Sequence, residues 1–210
     1  MSIEGVNRGY LKIEGAVRAF NFDFKDKTVL DIGSSTGGFT ELALKNGAKK
    51  VIAVEKGSHQ MKAPLRFDPR VELHEKTDIF DVEAHNSSTE GVRLGLAPRS
   101  APEGKLLCAS PNVIVADVSF LSLTKILEYA KEHLAGEDTD FLVMLKPQFE
   151  ARSDQLNKGV VKNETIRRNI IKNFETWLKQ NGYIIIKKRD NDLAGRHGNL
   201  ERFYYLKLAK

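Results

Sequence analysis

Seven short apolar runs, separated by stretches with helical periodicity, constrain the fold of this chain more than any other feature of its sequence. The runs, which we interpret as strands, occupy residues 27–33, 49–56, 70–77, 112–118, 140–147, 182–190 and 201–208. Such alternation predicts repeated β-α-β units and a mostly parallel sheet. About ten polar residues join the last two runs, too few for a parallel crossover. The sequence therefore predicts an α/β fold of seven strands, mostly parallel, with one antiparallel strand.

Two helical patterns are defined well enough to assign residues. Residues 163–182 place Asn163 at a capping position and end at Gly182, and their apolar stripe comprises Ile166, Ile170, Ile171, Phe174 and Leu178. Residues 7–22, within an N-terminal helical segment at 1–24, form a shorter amphipathic pattern whose inward residues are Leu11, Val17 and Phe20. We expect both helices to bury these stripes.

The connection at residues 81–111 is rich in Ser, Pro, Gly and Glu and is unusually long. Its composition favours a surface excursion with some mobility rather than a second folded unit. The sequence contains no internal repeat. We therefore expect residues 1–210 to form a single domain.

Composition and charge exclude several classes of protein. Lys and Arg total 33 against 28 for Asp and Glu, and this net charge of +5 permits phosphate binding without demonstrating it. The single cysteine, Cys108, excludes an internal disulfide and a multi-cysteine zinc cluster. The histidines lack ligand-like spacing, so no metal site is predicted.

The hydropathy pattern indicates a cytoplasmic protein with no membrane partner. No apolar run approaches the roughly 18 to 20 residues of a membrane-spanning helix. Residues 1–20 lack the continuous hydrophobic stretch of a secretory signal.

A glycine-rich turn follows the first predicted strand and leads into a helix, the layout in which a backbone approaches an adenosine-containing cofactor. The G-x-G-x-x-G spacing is absent, which disfavours a nicotinamide-dependent oxidoreductase. Asp31 would repel a pyrophosphate but suits a cationic amine, as in S-adenosylmethionine. The alternative is a turn that only packs strand against helix. The candidate cofactor contacts of this turn are Asp31, Gly33, Ser34, Ser35, Thr36, Gly37, Gly38 and Phe39.

Acidic residues at the next two strand ends extend this candidate site. Glu55 ends the second strand, where a carboxylate can accept hydrogen bonds from both ribose hydroxyls of an adenosine. Asp78 and Ile79 follow the third strand and are candidates for the adenine edge and face. An exposed loop acid and a core isoleucine remain the alternatives for these two residues.

Four charged residues at strand and helix ends are candidates for one cleft, and they are Lys12, Asp117, Lys146 and Glu201. Asp117 is also a candidate cofactor contact. Two lysines beside two carboxylates can hold one amine in place as a general base. The alternative for each residue is a surface ion pair. The Asn/Asp-Pro-Pro-aromatic turn that is typical of amino-group methylation is missing. Methylation of a pyrimidine carbon needs a nucleophilic cysteine in the site, and Cys108 lies upstream of the fourth predicted strand. A hydroxyl acceptor remains.

Five motifs in order carry a resemblance to a known family: NRGYLKIEGA, DIGSSTGGFT, ADVSFLSL, LKPQFEA with KGVV, and GNLERFYYL. Together they resemble the catalytic domain of the TlyA-type, FtsJ-like ribosomal RNA methyltransferases, over nearly the whole chain except about 81–111. The resemblance implies a Rossmann-like methyltransferase fold with helices on both faces and S-adenosylmethionine as cofactor. It also implies methylation of ribose 2′-hydroxyls in ribosomal RNA or ribosomal subunits. The Lys-Asp-Lys-Glu tetrad of the family falls on Lys12, Asp117, Lys146 and Glu201, with Lys146 as the base.

The chain departs from this family's pattern in two places. Members usually carry an RNA-binding S4 domain ahead of the first motif, whereas this sequence begins almost at that motif. Arg196 and His197 replace a more acidic stretch. Members have also been labelled haemolysins, yet no helix here combines a strongly apolar face with a basic one.

Basic and aromatic residues are candidates for RNA contact. The basic candidates are Lys158, Lys162, Arg167, Arg168, Arg196 and His197, with a solvated helix face as the alternative for Arg167 and Arg168. Phe149 is a candidate to stack on the target base, with a place in the core as its alternative. A catalytically idle RNA-binding or ribosome-assembly module with the same fold remains the rival interpretation.

Overall fold

The computed structural model describes residues 7–84, 105–107, 109–195 and 198–210. Its strands are β1 (Thr28–Ile32), β2 (Lys50–Glu55), β3 (Val71–Glu75), β4 (Val82–Ala84), β5 (Lys105–Leu107), β6 (Val113–Ala116), β7 (Asp140–Leu145), β8 (Tyr183–Asp190) and β9 (Arg202–Leu208). Its α-helices are α1 (Arg8–Phe20), α2 (Gly38–Lys45), α3 (Leu123–His133), α4 (Pro147–Glu150) and α5 (Glu164–Gln180).

Seven strands form one sheet in the order β3-β2-β1-β6-β7-β9-β8. Every neighbouring pair is parallel except the two that involve β9, which runs antiparallel to both β7 and β8. The seven predicted strands and the single antiparallel strand are therefore confirmed. From β1 the strands are added on one side in the order β2, β3, whereas β6 and β7 are added on the other side, so the strand order reverses between β1 and β6. Ligands of open α/β sheets bind at such a point, beyond the carboxyl ends of the strands.

Two hydrophobic cores, one on each face of the sheet, hold the helices. Alternate residues of a strand point to opposite faces, so Leu30 enters the core under α3 and α5 while Val29 enters the core under α1 and α2. Both side chains are fully buried. The helices therefore cover both faces of the sheet, as predicted.

Helix α1 buries a stripe that differs from the prediction at one residue. Its buried apolar residues are Ile13, Ala16, Val17 and Phe20. Leu11 is only half-buried, because it lies off the three-to-four-residue repeat that these four share. Asn7 caps the helix by accepting a hydrogen bond from the Gly9 N–H (3.0 Å).

Helix α5 begins and ends as its sequence predicts. The Asn163 side chain accepts hydrogen bonds from the N–H groups of Thr165 (2.9 Å) and Ile166 (3.2 Å). Gly182 follows the helix with φ +77°. Four of the five predicted stripe residues are buried, namely Ile170, Ile171, Phe174 and Leu178, and Ile166 is half-buried.

The predicted excursion at 81–111 is bounded by two short strands that the sequence analysis missed. β4 and β5 pair in parallel as a separate two-stranded sheet. Three residues are too few to produce an apolar run of their own. Residues 85–104 and Cys108 lie outside the described residues, as do Arg196 and His197. Among the helices that the structure describes, none combines the length and apolar character needed to cross a bilayer.

Arg167 is a structural residue, so its predicted contact with RNA is wrong. Its side chain is 7% exposed and donates to Asp190 Oδ1 (2.7 Å) and to the Leu200 carbonyl (3.2 Å). Arg202 donates to the same Asp190 oxygen from Nε (2.7 Å). Burial alone raises the pKa of Asp190, but the two arginines hold that pKa below its usual range. The network ties α5 to the last two strands.

We expect Arg167→Met to lower the free energy of unfolding by about 1 to 2 kcal/mol, because Asp190 and the Leu200 carbonyl lose a charged donor. This corresponds to a fall in melting temperature of about 3 to 6 °C for a domain of this size. Thermal and urea unfolding measure the change. Arg168→Met is the matched control, because Arg168 is exposed on the same helix. Equal melting temperatures for the two variants would contradict the assignment.

Candidate active site

One large cavity, with a volume of about 1660 Å³, opens beyond the carboxyl ends of β1, β6 and β7. All four predicted tetrad residues line it, although they come from the first helix, two strand ends and the segment before the last strand. Of the predicted cofactor contacts, it is lined by Asp31, Gly33, Ser34, Ser35, Thr36, Gly38, Phe39 and Asp117. The topology thus brings the two predicted groups to one place.

Asp31 is the most deeply buried acid of this cavity. Its Oδ2 accepts a hydrogen bond from Thr40 Oγ1 on α2 (2.6 Å). Its Oδ1 has no hydrogen-bond partner among the described residues, and neither has Ser34 Oγ. Burial raises the pKa of Asp31 to about 7, although the Thr40 hydroxyl opposes that change. Two buried polar atoms at the cavity wall therefore fit a ligand that donates hydrogen bonds or carries positive charge.

Gly38 sets the distance between the two helices beside the glycine turn. A Cβ on Gly38 would lie 2.5 Å from the Tyr10 nitrogen and 2.7 Å from the Gly9 carbonyl carbon. No real side chain accepts such contacts, so only glycine lets α1 pack this closely on α2. This packing places the next turn of α1, with Lys12, at the cavity.

Lys146 ends β7 and is held by two oxygen atoms. Its Nζ lies 2.5 Å from Asp117 Oδ1 and 2.9 Å from Ser119 Oγ. The ring of Phe149 lies below the same nitrogen, with its centroid 5.8 Å away. The Lys146 side chain is 10% exposed. Its amine is therefore oriented at the cavity wall rather than mobile in solvent.

Lys12 and Glu201 form the second ion pair of the cavity. Lys12 Nζ lies 2.6 Å from Glu201 Oε2, and the two side chains are 10% and 3% exposed. The Glu201 carbonyl accepts a hydrogen bond from the Asn191 N–H (2.8 Å). Buried charges of this kind persist only when they are paired.

The other predicted cofactor residues, Gly37, Glu55, Asp78 and Ile79, are not among the residues that line the cavity. Glu55 accepts hydrogen bonds from the N–H groups of Ser35 (2.8 Å) and Gly57 (2.6 Å), so its carboxylate braces the glycine turn. Asp78 pairs with Lys56 (2.9 Å). Ile79 lies in the core under α3. Direct contact of these residues with a cofactor stays a prediction.

The sequence analysis missed Ser119 and Phe120. Ser119 supplies the hydroxyl that meets Lys146. Phe120 has φ +65° and is 91% exposed at the cavity. Its ring centroid lies 5.3 Å from that of Phe149, which is half-buried and also lines the cavity. Their sequence signals are their place shortly after β6 and within the motif ADVSFLSL.

The basic residues predicted for RNA contact are spread more widely. Lys158, Lys162 and Arg168 are exposed between α4 and the first turn of α5. Their contact with RNA stays a prediction.

Known proteins share both the sequence and the fold. YqxC of Bacillus subtilis (strain 168), named as an rRNA methyltransferase, is 35% identical over 202 residues, which cover 96% of this chain and 65% of YqxC. The 16S/23S rRNA (cytidine-2′-O)-methyltransferase TlyA of Mycobacterium tuberculosis (strain ATCC 25618 / H37Rv) is 34% identical over 203 residues, which cover 96% of this chain and 68% of TlyA. The chain thus spans about two thirds of the length of these relatives.

A solved Streptococcus thermophilus structure, named as a hemolysin, superposes with a TM-score of 0.81 at 31% identity. It covers 100% of this chain, which in turn covers 69% of that structure. The model of the FtsJ-like methyltransferases matches residues 5–207. This confirms the resemblance carried by the five motifs, and the chain belongs to the FtsJ-like methyltransferase family.

Proposed function

We propose that this protein transfers a methyl group from S-adenosylmethionine to a ribose 2′-hydroxyl of ribosomal RNA. The observation that carries the proposal is the meeting of two buried lysine–carboxylate pairs at one cavity beside the glycine turn. Membership of the methyltransferase family and the names of the relatives support the same chemistry.

The glycine turn and Asp31 are suited to hold the cofactor. Asp31 and Ser34 line the cavity, and among the described residues nothing bonds the buried Asp31 Oδ1 or Ser34 Oγ, which leaves both as acceptors for a donor group. A carboxylate there attracts the cationic amine of an amino-acid moiety. When bound, S-adenosylmethionine supplies an electrophilic methyl group on a sulfonium.

Lys146 is proposed to take the proton from the acceptor hydroxyl. The hydroxyl O–H bond breaks as an O–C bond to the methyl group forms, and the proton moves to an unprotonated Lys146 Nζ. The S–C bond electrons stay on sulfur, which leaves as a neutral thioether. Asp117 and Ser119 hold Nζ in place for this transfer.

Lys12 is proposed to stabilise the negative charge that develops on the acceptor oxygen. Its ammonium lines the same cavity, and Glu201 fixes its position at 2.6 Å. A preorganised cation in a site that excludes most water stabilises such charge more than solvent does.

An unpaired nucleotide is the proposed form of the substrate. A ribose hydroxyl must reach buried amines, so the nucleotide has to leave its stack. The exposed ring of Phe120 lines the same cavity as Lys12 and Lys146 and offers an aromatic face to the extruded base. Methylation of cytidine by TlyA from two organisms makes ribosomal RNA the substrate class to test first.

We expect Lys146→Ala to lower the rate constant of methyl transfer by about 100-fold or more, because it removes the proposed base. The measurement is transfer of radiolabelled methyl from S-adenosylmethionine to ribosomal subunits that lack modification. Label in an alkali-resistant dinucleotide identifies the ribose 2′-oxygen as the acceptor. Binding of S-adenosylhomocysteine, measured by calorimetry, should stay close to that of the unaltered protein.

Lys172→Ala is the matched control, because Lys172 is exposed on α5. Full activity of Lys146→Ala would contradict the assigned base. RNA binding without transfer by the unaltered protein would favour the idle-module interpretation instead.

We expect affinity for S-adenosylmethionine to rise about 10-fold from about pH 5.5 to about pH 7.5. The pKa of Asp31 is raised to about 7 by burial, so Asp31 is mostly neutral at the lower pH and gains its charge across this range. The ionised form attracts the cofactor's ammonium, which stays mostly protonated up to about pH 7.5 because an α-amino group has a pKa of about 7.7 to 8.0. Calorimetric titration measures the affinity. Asp31→Asn should bind weakly at every pH, and an unchanged pH slope in that variant would refute the assignment.

A further inference from the structure

Segment 60–70 forms a wall of the cavity that the proposed chemistry leaves unused. Phe67, at the end of a single 3₁₀ turn (Leu65–Phe67), lines the cavity and is 75% exposed. Among the described residues, the two most exposed large apolar side chains are Phe67 and Phe120. Both line the same cavity. Exposed aromatic rings concentrated at one site indicate a binding surface.

The wall is anchored, so Phe67 is held in its exposed position. Met61 is buried and packs over Gly37, where a Cβ would meet its Cε at 3.1 Å and would collide with Leu65. Arg66 donates to the Met61 carbonyl (3.2 Å) and to Glu75 (3.0 Å). Each neighbour of Phe67 in the turn is thus fixed, and the ring stays 75% exposed with the Arg66 guanidinium 6.0 Å from its centroid.

The cavity has more room than a small-molecule cofactor fills. Its volume is about 1660 Å³, whereas pockets for small ligands commonly measure about 300 to 1,000 Å³. The extra space lies open to a second ligand. Phe67 and Phe120 come from segments far apart in sequence and both line the cavity, so a strand bound there can meet two aromatic rings.

The charge of the same surface favours a polyanion. Outside the tetrad and the glycine turn, the cavity is lined by four cations, Arg8, Lys45, Lys62 and Arg70, and by two carboxylates, Glu41 and Asp68. Lys45 is paired with Glu41 (2.8 Å) and Arg70 with Asp68 (2.7 Å). Phosphates can compete for such exposed pairs because these pairs contribute little stability.

We infer that Phe67 stacks on a second unpaired RNA base that flanks the target nucleotide, with Lys62 and Arg70 beside the adjoining phosphates. This inference rests on the proposed function and names the substrate more narrowly, as an unpaired strand rather than one extruded nucleotide. Every base has a stacking face, so Phe67 adds affinity and positions the strand without reading its sequence.

The test is the kinetics of Phe67→Ala with unmodified ribosomal subunits as substrate. We expect KM for the subunits to rise about 10-fold, because one stacked base is lost, while kcat stays within about 2-fold. Phe67→Tyr and Phe67→Trp should retain the original KM, and Phe67→Leu should resemble Phe67→Ala. Ile184→Ala is the control, because Ile184 is 47% exposed on the edge strand β8.

A binding measurement separates this inference from the proposed function. A short single-stranded RNA carrying the fluorescent base 2-aminopurine should be quenched by the unaltered protein and by Phe67→Tyr, and less by Phe67→Leu. Quenching without methyl transfer would sink the proposed function and keep the inference. Unchanged KM and quenching in Phe67→Ala would overturn the inference alone.

Cofactor affinity gives the third outcome. We expect calorimetric binding of S-adenosylhomocysteine to be unchanged in Phe67→Ala. A loss of that binding that matches the loss of activity would overturn the inference, because Phe67 would then cover the cofactor instead of the RNA.

Discussion

The ion pair between Lys12 and Glu201 is the constraint on which the arrangement of the site depends. Both side chains are almost fully buried, and a buried charge that loses its partner destabilises a fold by about 3 to 5 kcal/mol. The first helix must therefore lie against the segment before the last strand. The close packing of Gly38 on the backbone of α1 fixes that approach from the other side. A long-range electrostatic requirement thus brings the two ends of the chain to one cavity.

Residues outside the cavity hold Glu201 from both directions along the chain. On one side of Glu201, Arg167 donates to the Leu200 carbonyl. On the other side, Arg202 donates to Asp190, which also accepts a hydrogen bond from Arg167. These bonds lie in a half-buried network, where charge-assisted hydrogen bonds are stronger than in water. Arg167, a predicted phosphate contact, instead positions the segment that carries a residue of the proposed tetrad. Stability and the proposed chemistry therefore share the same ion network.

The glycine turn joins the two halves of the proposed site. Asp31 and Ser34 line the cavity and carry buried oxygens without a hydrogen-bond partner in the described part of the chain, and Glu55 braces the turn through the Ser35 N–H. On its outer side the turn touches Met61 and Leu65. A side chain at Gly37 would push that wall outward. Gly37 therefore sets the distance between the proposed cofactor site and segment 60–70, the wall that is proposed to bind the RNA strand.

The sequence by itself determined the seven strands of the main sheet, the antiparallel strand β9 and the cap of α5, because these follow from local periodicity and chain length. Tertiary structure decided which charges are buried. Arg167 and Arg168 read alike in sequence, yet only Arg167 faces Asp190, a partner that lies on another element. The same holds for Phe67, whose exposure depends on neighbours anchored elsewhere. Local patterns predict which way a residue points, whereas its partners come from distant segments that only packing brings together.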